Sequence, residues 1–230
     1  MFEKNKGIIF GATGFIGSQI AHEMTKRGAK LILHGTSKKK LEKLDDHLKD
    51  NFNLRQILLQ GDFTEKKFFS NLSNIIHSRF NCLDFLMNFV GKFDRLSPLT
   101  NFTYSEWEKM IEINVNSYWR ILKELEPLLK KSSSPRVLFI ISEDSSSGKP
   151  YQNFLNISQV MKKVIGEIFY EENKRLKIIT KIIQIPCLYN GISLKIAKKQ
   201  RSEKKFDKLA ETIIERTFDD KNNELLIRLF

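Results

Sequence analysis

Three glycines spaced three apart, Gly11, Gly14 and Gly17, stand between a short apolar run, Lys6–Phe10, and a segment of helical periodicity. A chain that must turn sharply after a strand and re-enter at once as a helix has few folds open to it. Gly11 suits the tight turn, Gly14 lets backbone N–H groups approach a pyrophosphate, and Gly17 lets the helix pack close to the strand. The phosphates would lie at the positive helix N-terminus, where N–H groups lack intrahelical partners. The loop Gly11-Ala12-Thr13-Gly14-Phe15-Ile16-Gly17 is therefore expected to hold a dinucleotide, the alternative being a plain strand-to-helix turn.

The rest of the chain repeats the same alternation. Ser18–Arg27 carries Ile20, Ala21 and Met24 on one face and closes at Gly28; Ala29–His34 is a second apolar run. Lys38–Asp50 reads as a charged helix with Leu41, Leu44 and Leu48 inward, and Ile57–Leu59 heads a strand ending at Gly61-Asp62. Phe68–Phe80 reads as a helix, Leu83–Val90 as a buried strand ending at Gly91, and Tyr104–Lys130 as one long helical stretch with Pro127 near its end. Arg136–Ser142 is a strand, Phe154–Asn173 a helix and Ile178–Ile185 a strand. Pro186–Lys205 is irregular and basic, Asp207–Phe218 is a last helix and Glu224–Phe230 a last strand.

Apolar, non-alternating strands separated by helices imply a parallel sheet covered on both faces. With right-handed crossovers and a glycine turn after the first strand, the expectation is an α/β, Rossmann-type, doubly wound sheet of about seven strands. No repeat or low-complexity segment marks a second module, so residues 1–230 are read as a single domain.

The formal net charge is +12, with the lysines spread over many segments. No aromatic-basic platform accompanies that charge, so nucleic-acid binding is not expected. Cys82 and Cys187 offer neither a disulfide framework nor zinc spacing, and His22, His34, His47 and His77 show no ligand spacing, so no metal site is expected and the histidines read as structural. No stretch approaches the ~20 apolar residues of a membrane span and no apolar leader precedes the first strand, so a cytoplasmic location is the expectation.

The end of the second strand sets ribose selectivity in this architecture, and a carboxylate there favours NAD. This chain has His34-Gly35-Thr36-Ser37-Lys38-Lys39-Lys40 instead. Hydroxyls and cations without a carboxylate suit a 2′-phosphate, which points to NADP, with NAD possible; the alternative is that Lys38–Lys40 merely open a solvated helix.

These features together resemble the short-chain dehydrogenase/reductase family over nearly the whole chain. Gly11–Gly17 resembles the family's glycine motif in the spacing of its extended members, while the layout downstream resembles the non-extended ones. Gly61-Asp62-Phe63-Thr64 matches the segment whose Asp contacts the adenine. Asn88-Phe89-Val90-Gly91 stands where the family has Asn-Asn-Ala-Gly. Trp107–Val115 matches the helix carrying the structural and catalytic Asn, here Asn114, and Ile185-Pro186 resembles the Pro-Gly stretch after the sixth strand. The resemblance implies cofactor contacts from Asn88, Gly91, Asp62, Phe63, Gln159 and Pro186 besides the loop and Thr36–Lys38.

The active-site pattern departs from the family. The family uses a Ser, a Tyr thirteen residues on, and a Lys four further; the Tyr is the acid/base and the Lys lowers its pKa and holds the nicotinamide ribose. Ser142 supplies the Ser, but the Tyr and Lys positions hold Leu155 and Gln159. Gly148, Pro150 and Ser158 support that ungapped register. Leu155 neither gives nor takes a proton, and general acid–base catalysis contributes about 10² to 10⁴-fold. Ser142 and Asn114 are thus the remnants of the tetrad. Tyr151, in the loop before the helix, with Lys162 and Lys163 one turn beyond Gln159, is a weakly supported substitute, because no Lys lies four residues after Tyr151.

Two functions remain open. One is an oxidoreductase acting on a carbonyl or hydroxyl substrate with altered acid–base chemistry. The other is an inactive dinucleotide-binding protein, a redox sensor or partner subunit. Met110, Ile121, Leu122, Val160, Val164 and Ile168 offer more apolar surface than one sheet face needs, so a homo-oligomer is expected. Glu143-Asp144 and the lysines of Gly191–Lys205 are weaker candidates for contacts with a polar or anionic substrate.

Overall fold

Successive residues of a strand face opposite sides of a sheet, so a strand apolar at every position must be covered on both. The first strand, β1 (Lys6–Phe10), meets that condition: Ile8 and Phe10 enter one core cluster and Ile9 the other, all fully buried. The structure, a computed structural model, describes residues 2–93, 95–142, 148, 150–185 and 208–229. After β1 come α1 (Phe15–Lys26), β2 (Lys30–Gly35), α2 (Lys38–Phe52), β3 (Ile57–Gln60), α3 (Lys66–Ser70), α4 (Leu72–His77) and β4 (Phe85–Asn88). Then follow α5 (Tyr104–Ile111), a π-helical turn (Glu112–Asn116), α6 (Ser117–Leu129), β5 (Arg136–Ser142), α7 (Asn153–Asn173), β6 (Ile179–Ile185), α8 (Leu209–Thr217) and β7 (Leu226–Arg228).

The seven strands form one parallel sheet in the order β3-β2-β1-β4-β5-β6-β7. Ile8 pairs with Ile32 on one side and Leu86 on the other. Helices α3, α4, α6 and α7 cover one face through Phe69, Leu72, Ile76, Ile121, Leu125 and Phe169. Helices α1, α2 and α8 cover the other through Ile20, Met24, Leu41, Leu48, Ile213 and Ile214. Each such buried side chain contributes about 1.5–3 kcal/mol relative to exposure. The chain winds outward from β1 in both directions, so the crevice beyond the C-terminal ends of β1 and β4 is the switch point where such sheets take ligands.

Several boundaries differ from the sequence expectation. Helix α1 begins at Phe15, inside the glycine motif, because Gly14 is its N-cap and Ser18 N–H already bonds Gly14 O. The helix expected over Phe68–Phe80 is two short ones meeting at Asn71, whose backbone (φ −114°, ψ 1°) leaves the helical register. Strand β4 is shorter than Leu83–Val90: Leu83 N–H bonds Leu128 O of α6, and the Asn88 side chain turns the chain by accepting from Val90 N–H. The long stretch Tyr104–Lys130 is broken by the π-helical turn, with Pro127 inside α6.

The surplus apolar surface is half of what was expected. Met110, Ile121 and Leu122 are buried in the monomer's own core, whereas Val160, Val164 and Ile168 of α7 are exposed. No described helix is long and apolar enough to cross a membrane.

Candidate functional site

The glycine loop lies at the C-terminal end of β1. Gly11 has φ +72°, a conformation open mainly to glycine. A Cβ on Gly17 would stand 2.2 Å from the Gly11 carbonyl oxygen, so only glycine lets α1 approach the turn this closely. The N–H groups of Phe15, Ile16 and Gly17 precede the first intrahelical bond, no side chain caps the helix, and its first turn holds no acidic residue. These residues fit a pyrophosphate, whose charge the helix N-terminus would receive.

His34, in β2, holds this loop from beneath. Its backbone oxygen accepts from Ala12 N–H, its Nδ1 lies 3.4 Å from Gly11 N, and its Nε2 lies 3.1 Å from Gly61 O. Both contacts are satisfied by the neutral Nε2–H tautomer, which accepts at Nδ1 and donates at Nε2. Burial pushes the imidazole pKa down to about 4 against the opposing pull of the Gly61 carbonyl and Asp62. The ring stacks on Phe63 at 4.7 Å.

Beyond β2, Thr36 is exposed and Ser37 caps α2 by accepting from Lys40 N–H. Lys38 is exposed, with Glu42 Oε1 3.8 Å away. Asp62 accepts from the Thr64 N–H and hydroxyl at 2.9 and 2.8 Å, bonds that hold its carboxyl below the usual range. Phe63 is almost fully buried, so its side chain belongs to the core.

A cavity of about 360 Å³ opens next to the loop, reached through Ile16. Its walls come from the chain after β4 (Asn88–Phe93), the π-helical turn, α6, the end of β5 and α7. The sequence folds this way locally because Thr103 and Glu106 form a reciprocal capping box that starts α5. The π-helical turn then delivers Asn114, whose Oδ1 accepts from Lys92 N–H and whose Nδ2 donates to Lys92 O and Met110 O. Asn114 thereby fixes the loop after β4 with both ends of its amide.

Ser142 ends β5 at the cavity wall. Among the described residues its buried Oγ has no partner, and neither does the buried Nδ2 of Asn88. Unpaired buried polar atoms are costly, so their presence in a cavity wall marks a place for a polar ligand. Gln159 Oε1 accepts from Ser142 N–H at 3.2 Å and so pins the strand end to α7. Tyr118 donates its hydroxyl to Asn88 O at 3.0 Å, and burial raises its pKa above the ordinary phenol range. Lys162 reaches the same cavity from α7 and is buried with its ammonium 4.9 Å from the Tyr118 ring centre. Burial pushes its pKa down to about 8.

The sequence-predicted residues thus fall into three groups. Ile16, Asn88, Gly91, Asn114, Ser142, Leu155 and Gln159 line one cavity. Gly11, Thr13, Gly14, Phe15, Gly17, Thr36, Ser37, Lys38, Asp62 and Phe63 lie along the ends of β1, β2 and β3. Pro186, Glu143, Asp144 and Gly191–Lys205 lie outside the described residues. Tyr151 precedes α7 at φ +66° and lines a separate hollow with Pro98, Leu99 and Pro150. Sequence reasoning missed Tyr118, which sits among apolar helix positions and carries no motif; it noted Lys162 only as a cation beyond Gln159, and the packing of α7 is what brings that lysine into the cavity. His34 was read as structural, and it is.

Comparison with known proteins gives a consistent picture. Residues 6–154 match the family model described as short chain dehydrogenase. An uncharacterised oxidoreductase of Staphylococcus epidermidis is 24% identical over 135 residues, which is 59% of this chain and 56% of that protein. The chain therefore spans little more than half the length of that relative. Nodulation protein G of Rhizobium meliloti is 25% identical over 193 residues, 83% of this chain and 75% of that protein. Among solved structures, a Shigella flexneri protein described as a short chain dehydrogenase complexed with NADP is similar in fold, with a TM-score of 0.88 at 17% identity. The superposition covers 99% of this chain and 97% of that one. A counterpart from Escherichia coli complexed with NADPH gives a TM-score of 0.86 at 16% identity, covering 99% and 97%.

Proposed function

The chain belongs to the short-chain dehydrogenase family, whose model takes in residues 6–154, and from that premise we propose that it is an NADP(H)-linked oxidoreductase acting on a carbonyl or hydroxyl substrate. The observation that carries this reading is the Ser142 Oγ, without a partner among the described residues, in a cavity whose wall also takes in Ile16 of the glycine motif. A substrate oxygen placed there would accept the Ser142 hydroxyl, and Asn88 Nδ2 offers a second donor on the same wall.

The glycine loop and the N-terminus of α1 would hold the pyrophosphate, with Asp62, Asn88, Gly91 and Gln159 following along the crevice and Thr36, Ser37 and Lys38 at the adenosine ribose. The absence of a carboxylate from His34 to Lys40 favours the 2′-phosphate of NADP, and the cofactors bound by the Shigella and Escherichia proteins agree with that choice. When bound, the cofactor supplies or takes the hydride. Gln159 holds Ser142 in place, Asn114 holds the facing loop, and Leu155 contributes a stretch of apolar wall that neither gives nor takes a proton. A pair of subunits meeting through the exposed Val160, Val164 and Ile168 stripe of α7 would cover that surface.

Leu155 and Gln159 also favour a second reading, a dinucleotide-binding protein without turnover. Fluorescence titration with NADPH and NADH, followed by assays on ketones, aldehydes and sugar nucleotides, separates the two. NADPH binding with turnover of any of these supports the oxidoreductase; binding alone supports the second reading; tighter NADH binding removes the NADP assignment.

A further inference from the structure

Resting on the oxidoreductase reading, we propose that Lys162 is the acid–base group of the Ser142 cavity, giving a proton to the substrate oxygen during carbonyl reduction and taking it back during alcohol oxidation. The position one turn back on α7, Gln159, carries no charge and accepts from Ser142 N–H. Leu155 carries no proton that it could give up or share. Lys162 comes from the same helix, and its ammonium lies in front of Gly91: a Cβ on that glycine would be 3.6 Å from Lys162 Nζ and 3.4 Å from Asn114 Oδ1. The ammonium thus stands beside Gly91, on the wall of the same cavity that Asn114 lines.

Among the described residues of the cavity wall the other titratable groups are Tyr118 of α6 and Lys92 of the loop after β4, with no carboxylate. Tyr118 is engaged with Asn88 O and held in its protonated form by burial. Lys92 is partly exposed, whereas Lys162 is buried. Among the described residues Lys162 has only the Tyr118 ring as a partner for its charge. A buried cation without an ion pair is retained at a cost to stability, and a polar cavity in front of it is the reason the fold supports here.

The step balances simply. With a bound dihydronicotinamide supplying the hydride to the carbonyl carbon, the carbonyl π pair would move onto oxygen, and Lys162 Nζ would give that oxygen its proton. The neutral amine left behind regains its proton from water. In the oxidative direction the neutral amine takes the hydroxyl proton as the hydride leaves.

Three measurements test this on the full-length protein. With any carbonyl substrate the wild type turns over, Lys162→Met should lower kcat by about a hundredfold or more while leaving the NADPH dissociation constant within about threefold. Wild-type reduction should fall as pH rises through the lysine's pKa of about 8, where the ammonium is lost. In protein labelled with ¹³C-lysine, the one side-chain resonance missing from Lys162→Met should titrate in that same region and move when NADP⁺ is added. A wild type that binds NADPH but reduces nothing overturns the oxidoreductase reading and this inference with it. Turnover in the wild type that survives in Lys162→Met, loss of NADPH binding in that variant, or a Lys162 resonance titrating as an ordinary exposed lysine overturns the inference alone.

Discussion

His34 Nδ1 lies 3.4 Å from the backbone nitrogen of Gly11, so a buried neutral imidazole supports the turn on which the dinucleotide cradle is built. Protonation at Nδ1 would place N–H against N–H and break that contact. Because burial lowers the folded-state pKa to about 4 from 6.5, the unfolded chain binds more protons between those values. The stability that His34 contributes is whole above pH 6.5 and is lost as pH falls towards 4. The loss should total about 3 kcal/mol. Urea unfolding of the wild type and of His34→Gln across this range checks it, and the pH slope should be shallower in the variant by that amount.

Gly17→Ala should disrupt both fold and cofactor binding. Its Cβ would meet the Gly11 carbonyl oxygen and carbon, which are backbone atoms and cannot rotate away. Overpacking of this kind costs about 1–3 kcal/mol, and displacement of α1 misaligns the N–H groups of the cradle. Thermal unfolding should show the loss of stability, and fluorescence titration should show NADPH affinity reduced by about tenfold or more.

A carboxylate placed after β2 should reverse cofactor preference. Thr36 is exposed at the strand end, and no acidic residue lies between His34 and Lys40. Thr36→Asp should repel a 2′-phosphate and accept the free ribose hydroxyls, moving the ratio of NADPH to NADH dissociation constants by about tenfold towards NADH. An unchanged ratio would place the adenosine ribose elsewhere.

Lys162→Met should make the folded protein more stable. The lysine's pKa is lowered from 10.5 to about 8 by burial, so the wild type carries the cost of a buried charge below pH 8. That cost disappears as pH rises from 8 to 10.5. The variant should gain about 3 kcal/mol near neutral pH, a gain that vanishes at the alkaline end of this window. Chemical denaturation at both ends of the window reads the difference.

Much of the fold was legible because its signals are local. Lys6–Phe10 and Arg136–Ser142 are apolar at nearly every position, which only a sheet covered on both faces satisfies, and both strands occur as the sequence implied. The break at Asn71 and the π-helical turn at Glu112–Asn116 were less legible. Helical periodicity over a short window does not record where one helix ends and the next begins, and the turn around Asn114 is tied to bonds with Lys92, far away in sequence. The surplus apolar residues show the same division: Ile121 and Val160 look alike as sequence, yet one fills the core and the other faces outward.

By itself the sequence determined the parallel, doubly wound sheet and the glycine loop, because alternation, apolar runs and the tolerance of Gly11 for a positive φ are properties of neighbouring residues. It also determined that Leu155 and Gln159 stand where the family keeps a tyrosine and a lysine. Only the tertiary structure decided that His34 supports the Gly11 turn, that Ser142 Oγ lacks a partner among the described residues, and that Lys162 reaches the same cavity beside Gly91. Those relationships join residues of different strands and helices, and both the desolvation that sets a pKa and the meeting of donor and acceptor arise only when those elements pack.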